Sequence, residues 1–93
     1  MGTRPRPVGP ATIYVAQELR AQRARLEWSL DTLAEKSGVA RMTAYRALTG
    51  ERALDIETLI KLCNAMGLNV SALLNEAHEQ ANPGSATAGK GRG

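Results

Sequence analysis

Residues 29–50 read SLDTLAEKSGVARMTAYRALTG, and this stretch decides the fold. Ser29 is a helix N-cap candidate, Asp31 suits the positive end of the helix dipole, and Gly38 closes the segment about two turns later. A second short helix over about 40–48 then ends at Gly50. Leu30, Leu33 and Ala34 make the inward stripe of the first, and Ala44, Ala47 and Leu48 that of the second. Gly38 permits the positive φ of a sharp turn, Val39 plugs the angle between the helices, and Ala34 is small where they approach. Such a pair can present its second helix to the major groove of duplex DNA, which is wide enough to admit one helix.

The outward face of that second helix reads Arg41, Met42, Thr43, Tyr45, Arg46 and Thr49, with no acid between 36 and 50. An ordinary solvated face more often carries Glu, Lys and Gln. Arg reads guanine O6 and N7 bidentately, Thr and Tyr hydroxyls bond phosphates or bases, and Met packs on a thymine methyl. The first-turn N–H groups near Ala40 to Met42 favour a phosphate. The plain alternatives are a solvated helix, a protein contact for Met42, and a Tyr45 ring lying over the preceding helix.

Outward from this pair the chain reads as helix. One helix covers about 13–26, with Thr12 as a plausible cap and Val15, Leu19 and Leu26 apolar. Asp55 caps another, in which Ile56, Leu59, Ile60, Cys63 and Met66 recur at helical spacing before Gly67. A last one covers about 70–80, starting at Asn69 or Ser71, with Val70, Leu73, Leu74 and Ala77 apolar. Pro is absent from 11 to 82 and no strand-like alternation appears, so the expected fold is all-α, a five-helix globule over residues 13–80. Residues 1–12 hold three of the four prolines, and 81–93 are Gly/Ala-rich; both are expected to be flexible basic arms.

Composition narrows the function. Ninety-three residues suit one small domain and exclude barrels and doubly wound sheets. The net charge of +3 comes from the arms, where Arg4, Arg6, Lys90 and Arg92 stand without an acid; residues 13–80 balance 8 Lys/Arg against 9 Asp/Glu. Locally, Lys36, Arg41, Arg46 and Arg52 face only Glu51 over residues 36–52. The arms are read as raising non-specific affinity through phosphates rather than as minor-groove readers. Cys63, the single cysteine, lies on an apolar stripe as buried filler, Trp28 precedes the Ser29 cap as a staple, and His78 is a lone surface residue. No catalytic triad, phosphate loop or metal spacing is present, so neither enzyme activity, cofactor nor metal is expected. No apolar run approaches the ~20 residues of a membrane span, and no secretory signal is apparent; a cytoplasmic location is expected.

SLDTLAEKSGVARMTAYRALTG followed by IETLIKLCNAMGLNVSALL resembles the Cro/lambda-repressor-like (XRE-type) helix-turn-helix family. The motifs are LA at 33–34, GV at 38–39, Gly50 and the LC.AMG.NVS ending, and the likeness spans roughly residues 15–75. It implies a five-helix bacterial or phage-encoded, nucleoid-associated regulator of transcription, here read as a repressor. It also implies a homodimer on a roughly palindromic operator in double-stranded DNA. By position, Arg41 and Met42 match base readers, Thr43 a phosphate or base contact, Tyr45 and Arg46 later groove contacts, and Thr49 and Arg52 backbone contacts. The expected dimer surface is helix five and the turn before it, through Leu68, Val70, Leu73 and Leu74. A rival role is a protein-interaction module such as an antitoxin, using helices four and five. A third is an architectural DNA protein relying on the arms.

Three positions depart from the family pattern. Leu30 stands where Gln is frequent, so one phosphate or bridging contact is missing. Leu48 replaces the Glu that would pair with Arg23, leaving Glu27 or Glu35 as candidate partners for it, or else solvent. Ala40 replaces a Ser or Thr cap, weakening that helix start by roughly 0.5–2 kcal/mol.

Overall fold

Side-chain caps set three of the helix starts. Ser29 Oγ accepts from the Thr32 N–H at 3.0 Å, Asp55 Oδ1 from Thr58 at 2.8 Å, and Asn69 Oδ1 from Ala72 at 2.8 Å. In the computed structural model, which describes residues 8–82, five helices follow in order. They are α1 (Pro10–Leu26), α2 (Leu30–Ser37), α3 (Arg41–Thr49), α4 (Ile56–Met66) and α5 (Val70–Ala81), and the described residues contain no strand. This is the all-α arrangement expected.

α1 begins at Pro10, three residues before the expected start, so Ala11 and Thr12 are half-buried helix and not arm. Proline is well suited to the first helical position, because its fixed φ is helical and its missing N–H would be unpaired there anyway. Ile13 N–H donates back to Gly9 O at 3.2 Å. At the far end, Ala81 closes α5 instead of opening the tail. The arm readings at Arg4, Arg6, Lys90 and Arg92 lie outside the described residues.

α1 is the spine of the fold. It packs along α5 and also touches α3 and α4, while α2 lies on α3 and α4. Leu19, Leu33, Leu62 and Cys63 are fully buried at the centre, joined by Val15, Ala44, Ala47, Leu48, Leu59, Met66, Leu73 and Ala77. Burial pushes the Cys63 thiol pKa up, so it stays a protonated filler. Polar clasps fix the spine: Tyr14 Oη donates to Glu76 Oε1 at 3.1 Å, and Gln22 Nε2 to Met66 O at 2.9 Å.

Two apolar stripes differ from the sequence expectation. On α4 the inward face is Leu59, Leu62, Cys63 and Met66, whereas Ile56 and Ile60 are 55% and 40% exposed. On α5, Leu73 is buried in the core and Leu74 is 40% exposed. Leu73 therefore has no surface to give to a dimer contact, and Leu68 and Val70 are half-buried against the core.

The Asp55 cap carries a pH signature. Hydrogen bonds from the Thr58 backbone and hydroxyl hold its pKa below the ordinary 3.8. A carboxylate with a lowered folded-state pKa stabilises the fold fully above its unfolded value and loses that contribution as pH falls through the folded value. Asp55→Asn keeps a capping oxygen that does not titrate, so its melting temperature is expected to fall less than the parent's when the pH is lowered from 4 to 2. Parallel melting curves across that range check this; identical slopes would contradict it.

Candidate nucleic-acid interface

The turn between α2 and α3 is closed by backbone and by one serine. Gly38, at φ +75°, donates its N–H to Ala34 O at 3.0 Å. Ser37 Oγ donates to Leu33 O at 2.7 Å and accepts from the Val39 N–H at 3.2 Å. Val39 is buried, as its plug role requires. Ala40, at the capping position before α3, offers no side-chain cap, which leaves the first N–H groups of the helix open to solvent or to an anion.

At its other end α3 stops at Gly50, φ +72°, where a Cβ would sit 3.1 Å from Ala16 Cβ on α1. The left-handed backbone alone costs a non-glycine residue roughly 1–2 kcal/mol. Gly50→Ala is expected to destabilise the domain by at least that much, because α1 and the end of α3 must part; Gly38→Ala, with open space around it, should cost less. Chemical denaturation of both variants decides it, and an equal loss would contradict the crowding argument.

With Ala44, Ala47 and Leu48 buried, the rest of α3 projects away from the core. At 3.6 residues per turn, Met42, Arg46 and Thr49 lie opposite the buried stripe, with Arg41 and Tyr45 on one flank and Thr43 on the other. Met42 and Tyr45 are 51% and 45% exposed, and Arg41, Thr43, Arg46 and Arg52 are all exposed.

The arginines fall into two groups that the sequence did not distinguish. Arg20 Nη1 donates to Leu48 O at 2.5 Å and ties α1 to the end of α3. Arg23 Nη1 donates to Trp28 O at 2.7 Å. Its expected acid partners are not used: Glu27 instead takes a left-handed conformation, φ 59°, that ends α1. Arg23 Nε is buried without a partner among the described residues. By contrast, the guanidinium groups of Arg46 and Arg52 have neither ion-pair nor hydrogen-bond partner among the described residues.

Arg46 and Arg52 line a cleft of about 180 Å³ with Thr43, Ala47, Ala53, Leu54, Asp55 and Thr58, between α3 and the start of α4. Tyr45 walls a shallow hollow on the other flank, shared with Arg20, Arg23, Leu30, Leu48 and Thr49. The tyrosine thus stands half out of the surface beside Leu30. The Thr49 hydroxyl donates to Arg46 O at 3.0 Å and accepts from Glu51 N–H at 3.3 Å, so its proton is committed to the helix end. Lys36 lies 5.5 Å from the centroid of the Trp28 ring, a cation–π contact, and Trp28 packs half-buried against the core as a staple does.

One site feature was missed. Arg41 Nε meets Asp31 Oδ1 at 2.5 Å, reaching across the turn from α3 to the first turn of α2. Counting charges along α3 alone hides this acid, since it lies ten residues upstream.

Among the described residues, no helix is long and apolar enough to cross a membrane. No curated protein and no solved structure matches the chain. A family model described as Helix-turn-helix matches residues 19–73, more than half of the chain and all of the α2–turn–α3 unit. That match and the five-helix fold agree: the chain belongs to the XRE/lambda-repressor-like helix-turn-helix family of DNA-binding regulators.

Proposed function

We propose that the chain is a sequence-specific regulator of transcription, acting as a repressor, that lays α3 in the major groove of double-stranded DNA. The observation that carries this reading is the pair of guanidinium groups, Arg46 and Arg52, that have no hydrogen-bond or ion-pair partner among the described residues, beside an exposed α3 face of Met42, Thr43 and Tyr45. Arg46 and Arg41 are the base readers in this account. Met42 packs on thymine methyls, Thr43 and Arg52 hold phosphate, and Tyr45 contacts the groove wall. Thr49 serves by setting the helix end next to the backbone. The uncapped start of α3 favours a phosphate there. In-vitro selection from a random duplex pool at two salt concentrations tests the reading with the full chain. A consensus that persists at the higher salt supports it; retention of all duplexes alike would refute it.

In the same account two copies bind a roughly palindromic operator, their recognition helices about 34 Å apart. The apolar surface that supports a second copy is smaller than the sequence suggested. It centres on Leu74 and a groove lined by Ala11, Val15, Leu54, Leu59 and Ala77. Sedimentation of the chain and of Leu74→Asp tests this: a dimer lost in the variant is expected, and a monomeric parent at tens of micromolar would refute it. Ile56 and Ile60 on α4 favour a second role, docking of a different protein such as a toxin partner of an antitoxin. That role predicts a stoichiometric partner whose binding is lost in Ile60→Asp without any change in DNA affinity. The cytoplasmic, bacterial or phage setting goes with the same reading.

A further inference from the structure

We propose that Asp31 is a positioning residue for base choice: by holding Arg41 at Nε, it presents the two terminal guanidinium nitrogens as a fork for a guanine edge. The inference rests on α3 acting as a major-groove helix.

The contact is specific in its atoms. Asp31 Oδ1 lies 2.5 Å from Arg41 Nε, and the side chains are 76% and 62% exposed. An ion pair so open to water adds little to folding, so stability gives it no reason to be there. Its geometry has another consequence. Guanidinium carries five N–H donors in a planar fork, and the Nε contact leaves the donors of Nη1 and Nη2 available together. Those are the donors that span O6 and N7 of guanine. An unheld arginine loses rotamer freedom on docking; a guanidinium already fixed on one side loses less. Water leaves the groove on binding, and the lower effective dielectric there strengthens the pair.

The other carboxylate oxygen of Asp31, Oδ2, has no partner among the described residues. Leu30, the preceding residue, is apolar and half-buried. The polar link between the two helices is therefore supplied by the second residue of α2 instead of the first.

The opposing view makes Asp31 a simple brake, a negative charge that repels phosphate and binds Arg41 incidentally. The two views differ in what is lost. Competition binding of the full chain, with the selected duplex and duplexes changed at single base pairs, separates them. For Asp31→Ala we expect the preference for guanine at the Arg41 position to fall about tenfold, with other positions unchanged and the melting temperature shifted by a few degrees at most. In an Arg41→Ala background, Asp31→Ala is expected to have no effect at that position. Asp31→Asn, which keeps an oxygen acceptor for Nε, should retain more of the preference than Asp31→Ala. Uniformly tighter binding of Asp31→Ala to all duplexes, with base choice intact, would overturn the proposal. A parent chain that binds all duplexes alike would overturn it too, and would show the fault to lie in the underlying reading of α3.

Discussion

Replacing Leu62 with alanine is expected to lower the unfolding free energy by about 2–5 kcal/mol, because the site is closed on every side and the cavity cannot collapse fully. Leu62 is 0% exposed, at the middle of α4 and the centre of the core. For a domain of this size that loss lowers the melting temperature by on the order of 10–30 °C. Ile60→Ala, at a position 40% exposed, should cost a fraction of that. Urea denaturation of both variants checks the contrast. If Ile60→Ala were the more costly, the inward face of α4 would be Ile56 and Ile60, and the Leu59, Leu62, Cys63 and Met66 face described above would be wrong.

Arg46→Ala is expected to weaken binding to the selected duplex by on the order of 1–3 kcal/mol and to relax base preference at one position of each half-site. The argument is one of cost. Arg46 has no guanidinium hydrogen bond or ion pair among the described residues to give up when it meets DNA, whereas Arg20→Ala removes a hydrogen bond to Leu48 O and should damage the fold first. Competition binding at fixed salt, with melting temperatures measured alongside, separates the two. An Arg46→Ala loss equal for all duplexes would make this side chain a phosphate holder. A change in melting temperature comparable to that of Arg20→Ala would mean it is structural.

Local signals were legible. Ser29, Gly38, Gly50, Asp55 and Gly67 mark helix ends through their own backbone and side-chain chemistry, and each stands at the boundary expected of it. The start of α1 lies before the expected one because Thr12 is a good cap in isolation, while Pro10 is a better first helical residue. On α4 two stripes satisfy helical spacing, one through Ile56 and Ile60, the other through Leu62. Which is buried depends on where α1 and α2 press, and spacing along a single helix carries no record of that. Leu73 and Leu74 posed the same ambiguity on α5.

The candidate site was legible as a set of exposed residues and not as a set of relations. Arg41, Met42, Thr43, Tyr45 and Arg46 are all exposed, as the periodicity of α3 implies, and Arg52 is exposed in the segment that follows it. That Arg41 is held by Asp31 across the α2–α3 turn, that Arg23 spends itself on a carbonyl just past the end of α1, and that Arg46 and Arg52 share a cleft where the chain turns into α4 all depend on residues that the connections between helices bring together. A count of charge over residues 36–52 shows the excess but not which cations are committed.

The most direct test of α3 as a groove-reading helix is methylation interference on the selected duplex. A methyl group on guanine N7 projects into the major groove, and one on adenine N3 into the minor groove. The account predicts that guanine N7 methylation within the consensus abolishes retention by the full chain, while adenine N3 methylation there is tolerated. Interference confined to adenine N3, with N7 methylation harmless, would contradict it.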